Sequence, residues 1–167
     1  YAGELYKFNL PGPDIEGDAF AVLLGAIPAS KQLVVNATSA SGAVLESWAG
    51  DGRTLITATR TGGERNATRF GEHWAAALSS DEADANKNGA ITAQEAFEFA
   101  ERKVSDSYES GGTLATEHPQ LVGDAPGACN VALLEARIAP AVELEGLIGE
   151  LAVLEGDIYR LRAGRDE

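Results

Sequence analysis

The chain has 167 residues, of which 44% are hydrophobic, so it can form one domain with a sizeable core and a short extension. Its 26 acidic and 13 basic residues give a formal net charge of −13, which argues against nucleic-acid and anionic-membrane partners. No apolar run approaches the length that spans a bilayer, and the single cysteine cannot form an internal disulfide.

The first half of the chain has the pattern of an α/β fold. Residues 14–27 predict a helix, because acids open the segment and apolar residues recur three and four apart at Phe20, Leu23, Leu24 and Ile27. The apolar runs 31–38 and 53–59 predict two strands buried on both faces of a parallel sheet, with a short helix around Trp48 between them. This order predicts a right-handed crossover and a site beyond the carboxyl ends of the strands.

A calcium loop is the most specific chemical motif in the sequence. Residues 84–95 lie between predicted helices at 70–78 and 93–108 and match the twelve-residue EF-hand loop. Gly89 permits the sharp turn, and Ile91 is the apolar anchor. Oxygen ligands stand at every required position, and the predicted ligands are Asp84, Asn86, Asn88, the carbonyl of Ala90, Thr92 and bidentate Glu95.

The small number of charged ligands in this loop predicts its affinity for Ca²⁺. Only Asp84 and Glu95 are formally charged, and affinity rises with ligand charge, so we expect modest affinity. A weak loop suits the higher calcium concentrations outside the cytosol, which favours a periplasmic or secreted location. Because no second loop accompanies it, the loop is interpreted as a structural staple and not as a signalling sensor. A polar turn that binds no metal is the alternative.

The last part of the chain predicts a helical extension. Residues 1–128 are expected to form the α/β domain and residues 129–167 a helical hairpin or a short coiled coil. Apolar residues alternate three and four apart in a narrow seam, formed by Leu144, Leu147, Leu151, Leu154, Ile158 and Leu161. An oligomer formed through this 144–161 helix is therefore one expectation.

Three segments resemble the legumain-like and caspase-like cysteine peptidases. Residues 33–42, with the sequence LVVNATSASG, resemble the family's strand and nucleophile turn, and alignment on Ser-Gly puts Ser39 where the family has its catalytic cysteine. Residues 55–66, LITATRTGGERN, are similar to the next strand and the loop that borders the substrate cleft. Residues 116–124, TEHPQLVGD, are similar to a later segment with a histidine and a closing Gly-Asp. The resemblance spans residues 1–124.

This resemblance implies a caspase-like parallel-sheet sandwich, present in part. The family's catalytic histidine turn would fall at or before Tyr1, so we expect a preceding segment or a separate chain to complete the sheet. A hydroxyl is a far weaker nucleophile than a thiolate, so Ser39 implies a catalytically inactive form. The resemblance implies Arg60, Glu64 and Arg65 as cleft residues, and an ordinary charged surface loop is the alternative.

The remaining candidate groups do not match the family's catalytic positions. His73 and His118 are interpreted as structural histidines, and Cys129 as a thiol without a catalytic role. Three functions stay open. The first is an impaired peptidase relative whose cleft binds a peptide or protein without cleaving it. The second is a calcium-dependent binding or scaffold module, and the third is a serine hydrolase that uses Ser39.

Overall fold

A computed structural model describes residues 5–134 and residue 153. Two compact units divide the chain, residues 1–132 and residues 133–167. Most of the second unit lies outside the described residues, and so does the predicted seam at 144–161 apart from Val153. The fold is accordingly that of the first unit.

The described chain is a mixture of helices and strands. Its helices are α1 (Gly17–Ala26), α2 (Phe70–Ala77) and α3 (Ala93–Ser110). Its strands are β1 (Lys7–Phe8), β2 (Ile15–Glu16), β3 (Gln32–Asn36), β4 (Arg53–Thr57), β5 (Ala90–Thr92), β6 (Gln120–Gly123) and β7 (Asn130–Leu133). The expected α/β class is confirmed at this level.

A mixed sheet with the strand order β3-β4-β6 forms the centre of the unit. β3 and β4 are parallel, as predicted, with Val34 opposite Leu55 and Val35 opposite Ile56. β6 is antiparallel to β4 and sets Leu121 opposite Ile56. The sheet is therefore not wholly parallel, because the chain returns to it from the α3 side in the opposite direction.

Helices pack on both faces of this sheet, because neighbouring side chains along a strand point to opposite faces. One core joins α2 and α3 to the sheet and contains Ile56, Ala58, Phe70, Phe97, Ala100, Val104 and Tyr108, with Leu33 and Val35 against it. The other core lies on the α1 side and contains Tyr6, Leu24, Ala40, Val44, Trp48 and Leu55, with Val34 against it. The alternation of Val34 and Val35 between the cores fixes the register of β3.

Two expectations about burial were only partly right. β4 is buried as predicted, with Leu55 at 1% and Ile56 at 0% exposure, whereas the apolar residues of β3 are only half-buried. In α1, Leu23 and Ile27 are 55% and 51% exposed, although the periodicity predicted an inward position. β3 is at the edge of the described sheet, where no described strand pairs with its outer side.

The start of the predicted helical extension is a strand in the structure. Residues 130–133 form β7, which pairs with β5, so the chain after Cys129 starts as a strand and not as a helix. Pairing gives hydrogen-bond partners to the backbone groups on the facing edges of both short segments. Among the described residues, no helix is both long and apolar enough to cross a membrane.

Candidate functional site

The 84–95 loop folds around the carboxylate of its first residue. Asp84 is 4% exposed, and its carboxylate accepts hydrogen bonds from the backbone N–H of Asn88 at 3.2 Å and of Gly89 at 2.9 Å. Lys87 and Gly89 have φ angles of 59° and 80°, in the left-handed region. The glycine accepts this conformation without cost, which accounts for glycine at the sixth position.

Glu95 closes the loop from the first turn of α3. Its Oε2 accepts from the Thr92 N–H at 3.0 Å and from the Thr92 hydroxyl at 2.8 Å, while the Thr92 oxygen accepts from the Glu95 N–H. This is a capping box, which satisfies two N–H groups at the start of the helix. The other oxygen, Oε1, accepts from Asn86 Nδ2 at 2.8 Å. One carboxylate thus connects the first half of the loop to the helix.

These contacts also set the charge state of Glu95. Burial acts to raise its pKa, but the hydrogen bonds from Thr92 and Asn86 outweigh burial and the repulsion from Asp84, so the pKa lies below its ordinary value. Glu95 is therefore an anion at neutral pH, as a calcium ligand must be.

The donor set of the loop fits a hard cation. Asp84 and Glu95 supply carboxylate oxygens. The amide oxygens of Asn86 and Asn88 each accept one backbone N–H, from Asn88 at 3.0 Å and from Ala90 at 2.8 Å, and each keeps a second lone pair. No group of three or more His, Cys, Asp or Glu that could hold a metal exists within the described residues, so an ion in this loop would rest on two carboxylates and neutral oxygens. The metal site itself stays a prediction.

The loop is anchored to the rest of the unit through β5. Ile91 is fully buried, as the motif predicts, and the N–H of Ala93 donates to the carbonyl of Cys129 at 2.7 Å. β5, which is part of the loop, pairs with β7. The loop therefore holds the ends of α2 and α3 together and fixes the segment that follows β6.

The turn after β3 packs directly against the chain that follows β4. The buried Ser41 hydroxyl accepts from the Thr59 N–H at 3.1 Å, and the Gly42 N–H donates to Thr59 Oγ1 at 2.9 Å. A Cβ on Gly42 would lie 2.2 Å from the carbonyl carbon of Arg60 and 2.3 Å from the nitrogen of Thr61. The Ser-Gly pair therefore has a structural cause, whatever chemistry the turn performs.

Glu64 joins three segments at the end of the sheet where β3 and β4 finish. Its carbonyl accepts from the N–H of Ala40, the residue after Ser39, at 2.7 Å. Its carboxylate accepts from the N–H of Arg60 at 2.9 Å and from the N–H of His118 at 3.1 Å. The same carboxylate lies 2.7 Å from Nδ1 of His118. The turn after β3, the loop after β4 and the segment before β6 are thus tied together.

The predicted cleft residues differ in their surroundings. Ser39 is half-buried in the turn after β3, and Glu64 is half-buried beside it. Arg60 and Arg65 are exposed, and the Arg65 side chain donates to the carbonyl of Gly62 at 3.4 Å. Glu64 is therefore the predicted cleft residue with direct contacts to the Ser39 turn, while the two arginines lie in the exposed part of the loop.

Glu117 is an important residue that sequence reasoning missed. It is 2% exposed, and its carboxylate accepts from the N–H groups of Arg69 at 2.7 Å and Phe70 at 3.2 Å, where α2 begins. The Tyr108 hydroxyl donates to it at 3.3 Å. A cap supplied from this far along the chain leaves no local sequence signal, since local patterns place caps next to the helix that they serve.

The other singled-out groups lie elsewhere. His73 Nε2 is 3.1 Å from the Ser107 hydroxyl, between α2 and α3, which agrees with a packing role. Cys129 borders a cavity of about 290 Å³ at the amino ends of β3 and β4, the opposite end of these strands from Ser39. Residues lining this cavity also include Lys31, Gln32, Gly52, Thr54 and Asp124.

Comparison with known proteins adds no relative: no protein-family model, no curated protein and no solved structure matches the chain.

Proposed function

We propose that the chain is a calcium-binding α/β domain in which a single EF-hand-type loop ties α2 to α3. The observation that supports this most strongly is the pair of largely buried carboxylates of Asp84 and Glu95, at 4% and 9% exposure, both held by hydrogen bonds within one loop. Burying two like charges close together is costly unless a cation or donors compensate them. Hydrogen bonds supply part of this compensation, and Ca²⁺ bound between the two carboxylates would add to it.

The loop's residues would share the ion between them. Glu95 would bind through both carboxylate oxygens and Asp84 through one, with neutral oxygens from Asn86, Asn88 and the Ala90 carbonyl completing the set with Thr92. Hydrogen bonds that already direct Asp84 and Glu95 reduce the ordering needed on binding. Calcium bound by the folded state alone adds its binding free energy to the stability of the domain.

A calorimetric calcium titration with two matched charge variants tests this proposal. Asn88→Asp adds a carboxylate at a ligand position and is expected to tighten binding, because affinity rises with ligand charge. Ala85→Asp adds the same charge at the exposed second position of the loop, which supplies no ligand, and is expected to leave affinity nearly unchanged. Equal tightening in both variants would mean a general charge effect, and no heat in any of them would rule the site out.

We also propose that the domain is related to the legumain-like and caspase-like peptidases and lacks their cysteine-peptidase activity. The parallel pair β3–β4, with the Ser39 turn at its carboxyl edge and the Glu64 loop beside it, supports this. A hydroxyl stands where the family has a thiol. A peptide probe that alkylates catalytic cysteines is expected to leave the wild type unlabelled, and Cys129→Ser serves as the control for adventitious reaction. Labelling of the wild type that survives Cys129→Ser would contradict the assignment.

Without thiol chemistry, the surface around Ser39, at the carboxyl ends of β3 and β4, is proposed to bind a peptide or protein. In a calcium-dependent binding module, the 84–95 loop would control binding at the surface around Ser39. Capture of a partner in calcium and its release by a chelator would favour that version. Capture that is indifferent to calcium would assign the loop to stability alone.

An added strand is proposed to pair with the free edge of β3. Within the described residues no strand pairs with this edge, and Leu33, Val34 and Val35 beside it are only half-buried. The neighbouring α1 side chains Leu23 and Ile27 are more than half exposed. Unpaired edges with apolar side chains invite pairing, and a preceding segment or a separate chain would provide the strand. An oligomer through the apolar seam predicted at residues 144–161, and an extracytoplasmic location, remain predictions.

A further inference from the structure

The cavity at the amino ends of β3 and β4 has the size of a small-molecule site. Its volume of about 290 Å³ is close to about 300 Å³, the lower end of the range for ligand pockets. Apolar side chains of Leu33, Ala125 and Ala128 line part of it, and the charged residues Lys31 and Asp124 also border it. An apolar wall with a few charged groups is the usual make-up of such a site.

Hydrogen bonds hold the walls of this cavity in place. The Thr54 hydroxyl donates to the carbonyl of Asp124 at 2.9 Å, which fixes the loop after β6 to β4. The N–H of Gln32 donates to the carbonyl of Gly52 at 3.0 Å, which joins the starts of β3 and β4. On the third side, the carbonyl of Cys129 accepts from the first residue of α3. A preformed cavity needs little ordering when a ligand enters, so more of the contact energy appears as affinity.

Gly52 brings the two charged residues close to each other. Its N–H donates to Oδ2 of Asp124 at 3.2 Å, and its φ angle is 70°. A Cβ on this glycine would clash with the carbonyl of Ser30 and would lie 4.0 Å from the Cα of Lys31. The absence of a side chain at Gly52 therefore allows Lys31 to lie on one side of it and the carboxylate of Asp124 on the other.

Both charges remain open to a ligand. Among residues 5–134, neither Lys31 nor Asp124 forms an ion pair, with each other or with another residue. Asp124 Oδ2 accepts one N–H, so the carboxylate keeps further lone pairs, and the Lys31 ammonium carries three donors. The alternation of β3, extended back by one residue, puts the Lys31 side chain on the same face as Leu33. One anionic acceptor, one cationic donor and an apolar wall thus border the same cavity.

We propose that this cavity binds a free α-amino acid with an apolar side chain. Lys31 pairs with the carboxylate of the ligand, Asp124 accepts from its ammonium group, and its side chain lies against Leu33, Ala125 and Ala128. A zwitterion supplies both missing counter-charges on neighbouring atoms, whereas a simple carboxylate or a simple amine leaves one of the two residues unpaired. The site is separate from the calcium loop and from the surface around Ser39.

The single cysteine of the chain, Cys129, reports whether the cavity is filled, because it is half-buried and borders the cavity. L-leucine at millimolar concentration is expected to slow the alkylation of Cys129 by iodoacetamide, measured by the mass of the intact protein. The control combines Cys129→Ser with Ser110→Cys, which puts a thiol at the exposed end of α3, about 25 Å from the start of that helix. L-leucine should leave the alkylation rate of this variant unchanged. Equal rates with and without L-leucine, L-valine and L-phenylalanine at Cys129, or equal slowing in the control, would overturn the proposal.

Two analogues of L-leucine test the charge recognition, with affinities taken from the same protection assay. L-leucinamide lacks the carboxylate and 4-methylpentanoate lacks the ammonium group, so each should bind about 10-fold more weakly than L-leucine, as expected for the loss of a hydrogen bond to a charged group. Equal affinity of the wild type for all three compounds would contradict the assigned contacts.

Variants of the two charged residues complete the test. Lys31→Gln should weaken the binding of L-leucine about 10-fold and leave that of L-leucinamide unchanged, because the amide does not use the Lys31 charge. Asp124→Asn should weaken L-leucine by a similar factor and leave 4-methylpentanoate unchanged. A variant that merely unfolds would lose all three compounds together. Asp51→Asn changes an exposed acid that does not border the cavity and should bind as the wild type does. Wild-type affinity for L-leucine in both Lys31→Gln and Asp124→Asn would overturn the proposal.

Discussion

Gly42 shows how one absent side chain allows the turn after β3 to pack against the loop after β4. Gly42→Ala would push a Cβ to within 2.2 Å of the Arg60 backbone, which cannot move as a flexible side chain would. We expect it to lower the free energy of unfolding by about 3 kcal/mol. Gly25→Ala is the control, since nothing lies within 4 Å of its Cβ in α1, and a gain of about 1 kcal/mol is expected. Chemical denaturation measures both.

The lowered pKa of Glu95 makes the stability of the folded domain depend on pH. A carboxyl whose folded pKa lies below its unfolded value contributes stability at pH values above the unfolded pKa. This contribution is lost as the pH falls from above the ordinary value of 4.5 through the lowered folded value. We therefore expect the metal-free wild type to lose more stability than Glu95→Gln on this acidic side. If the melting temperatures of the two proteins fell by the same amount over that pH range, the assigned hydrogen bonds would be contradicted.

At the scale of elements, α2 depends on a cap from a distant segment. Glu117→Ala removes the acceptor for the N–H groups of Arg69 and Phe70 and for the Tyr108 hydroxyl. Hydrogen bonds to a buried charge predict a loss of about 3 kcal/mol in unfolding free energy. Glu72→Ala in the exposed first turn of the same helix is the control and should change stability by less than about 0.5 kcal/mol. Equal losses in denaturant titrations would show that the cap is unimportant.

The sequence predicted those elements whose cause is local. The apolar runs of β3 and β4, the periodicity of α3 and the spacing of the 84–95 loop each carry their own signal, and the structure has helices and strands at these places. The antiparallel entry of β6, the Glu117 cap and the contact between Glu64 and His118 join residues far apart in the chain. Such contacts depend on tertiary packing, which periodicity cannot report. The exposure of Leu23 likewise depends on which neighbours α1 has.

Within residues 5–134 the central sheet carries helices on both faces and has no strand paired with the outer edge of β3. If an added strand covers this edge, Leu23→Lys should weaken its binding, because the charge would fall on the exposed apolar side of α1. Val153, exposed and outside the first unit, offers a control substitution of equal chemistry. Light scattering after size exclusion measures association. A cooperatively folded monomer that shows no association with itself or with a supplied strand would contradict the partner proposal.

The central claim is that calcium in the 84–95 loop stabilises this domain, and it is tested most directly by equilibrium unfolding with and without the metal. In calcium at 100 times the dissociation constant, the wild type should gain about 2.7 kcal/mol over the protein in a chelator. Glu95→Gln, which weakens the bidentate ligand, should gain much less at the same calcium concentration. Superimposable wild-type unfolding curves in calcium and in chelator would contradict the account.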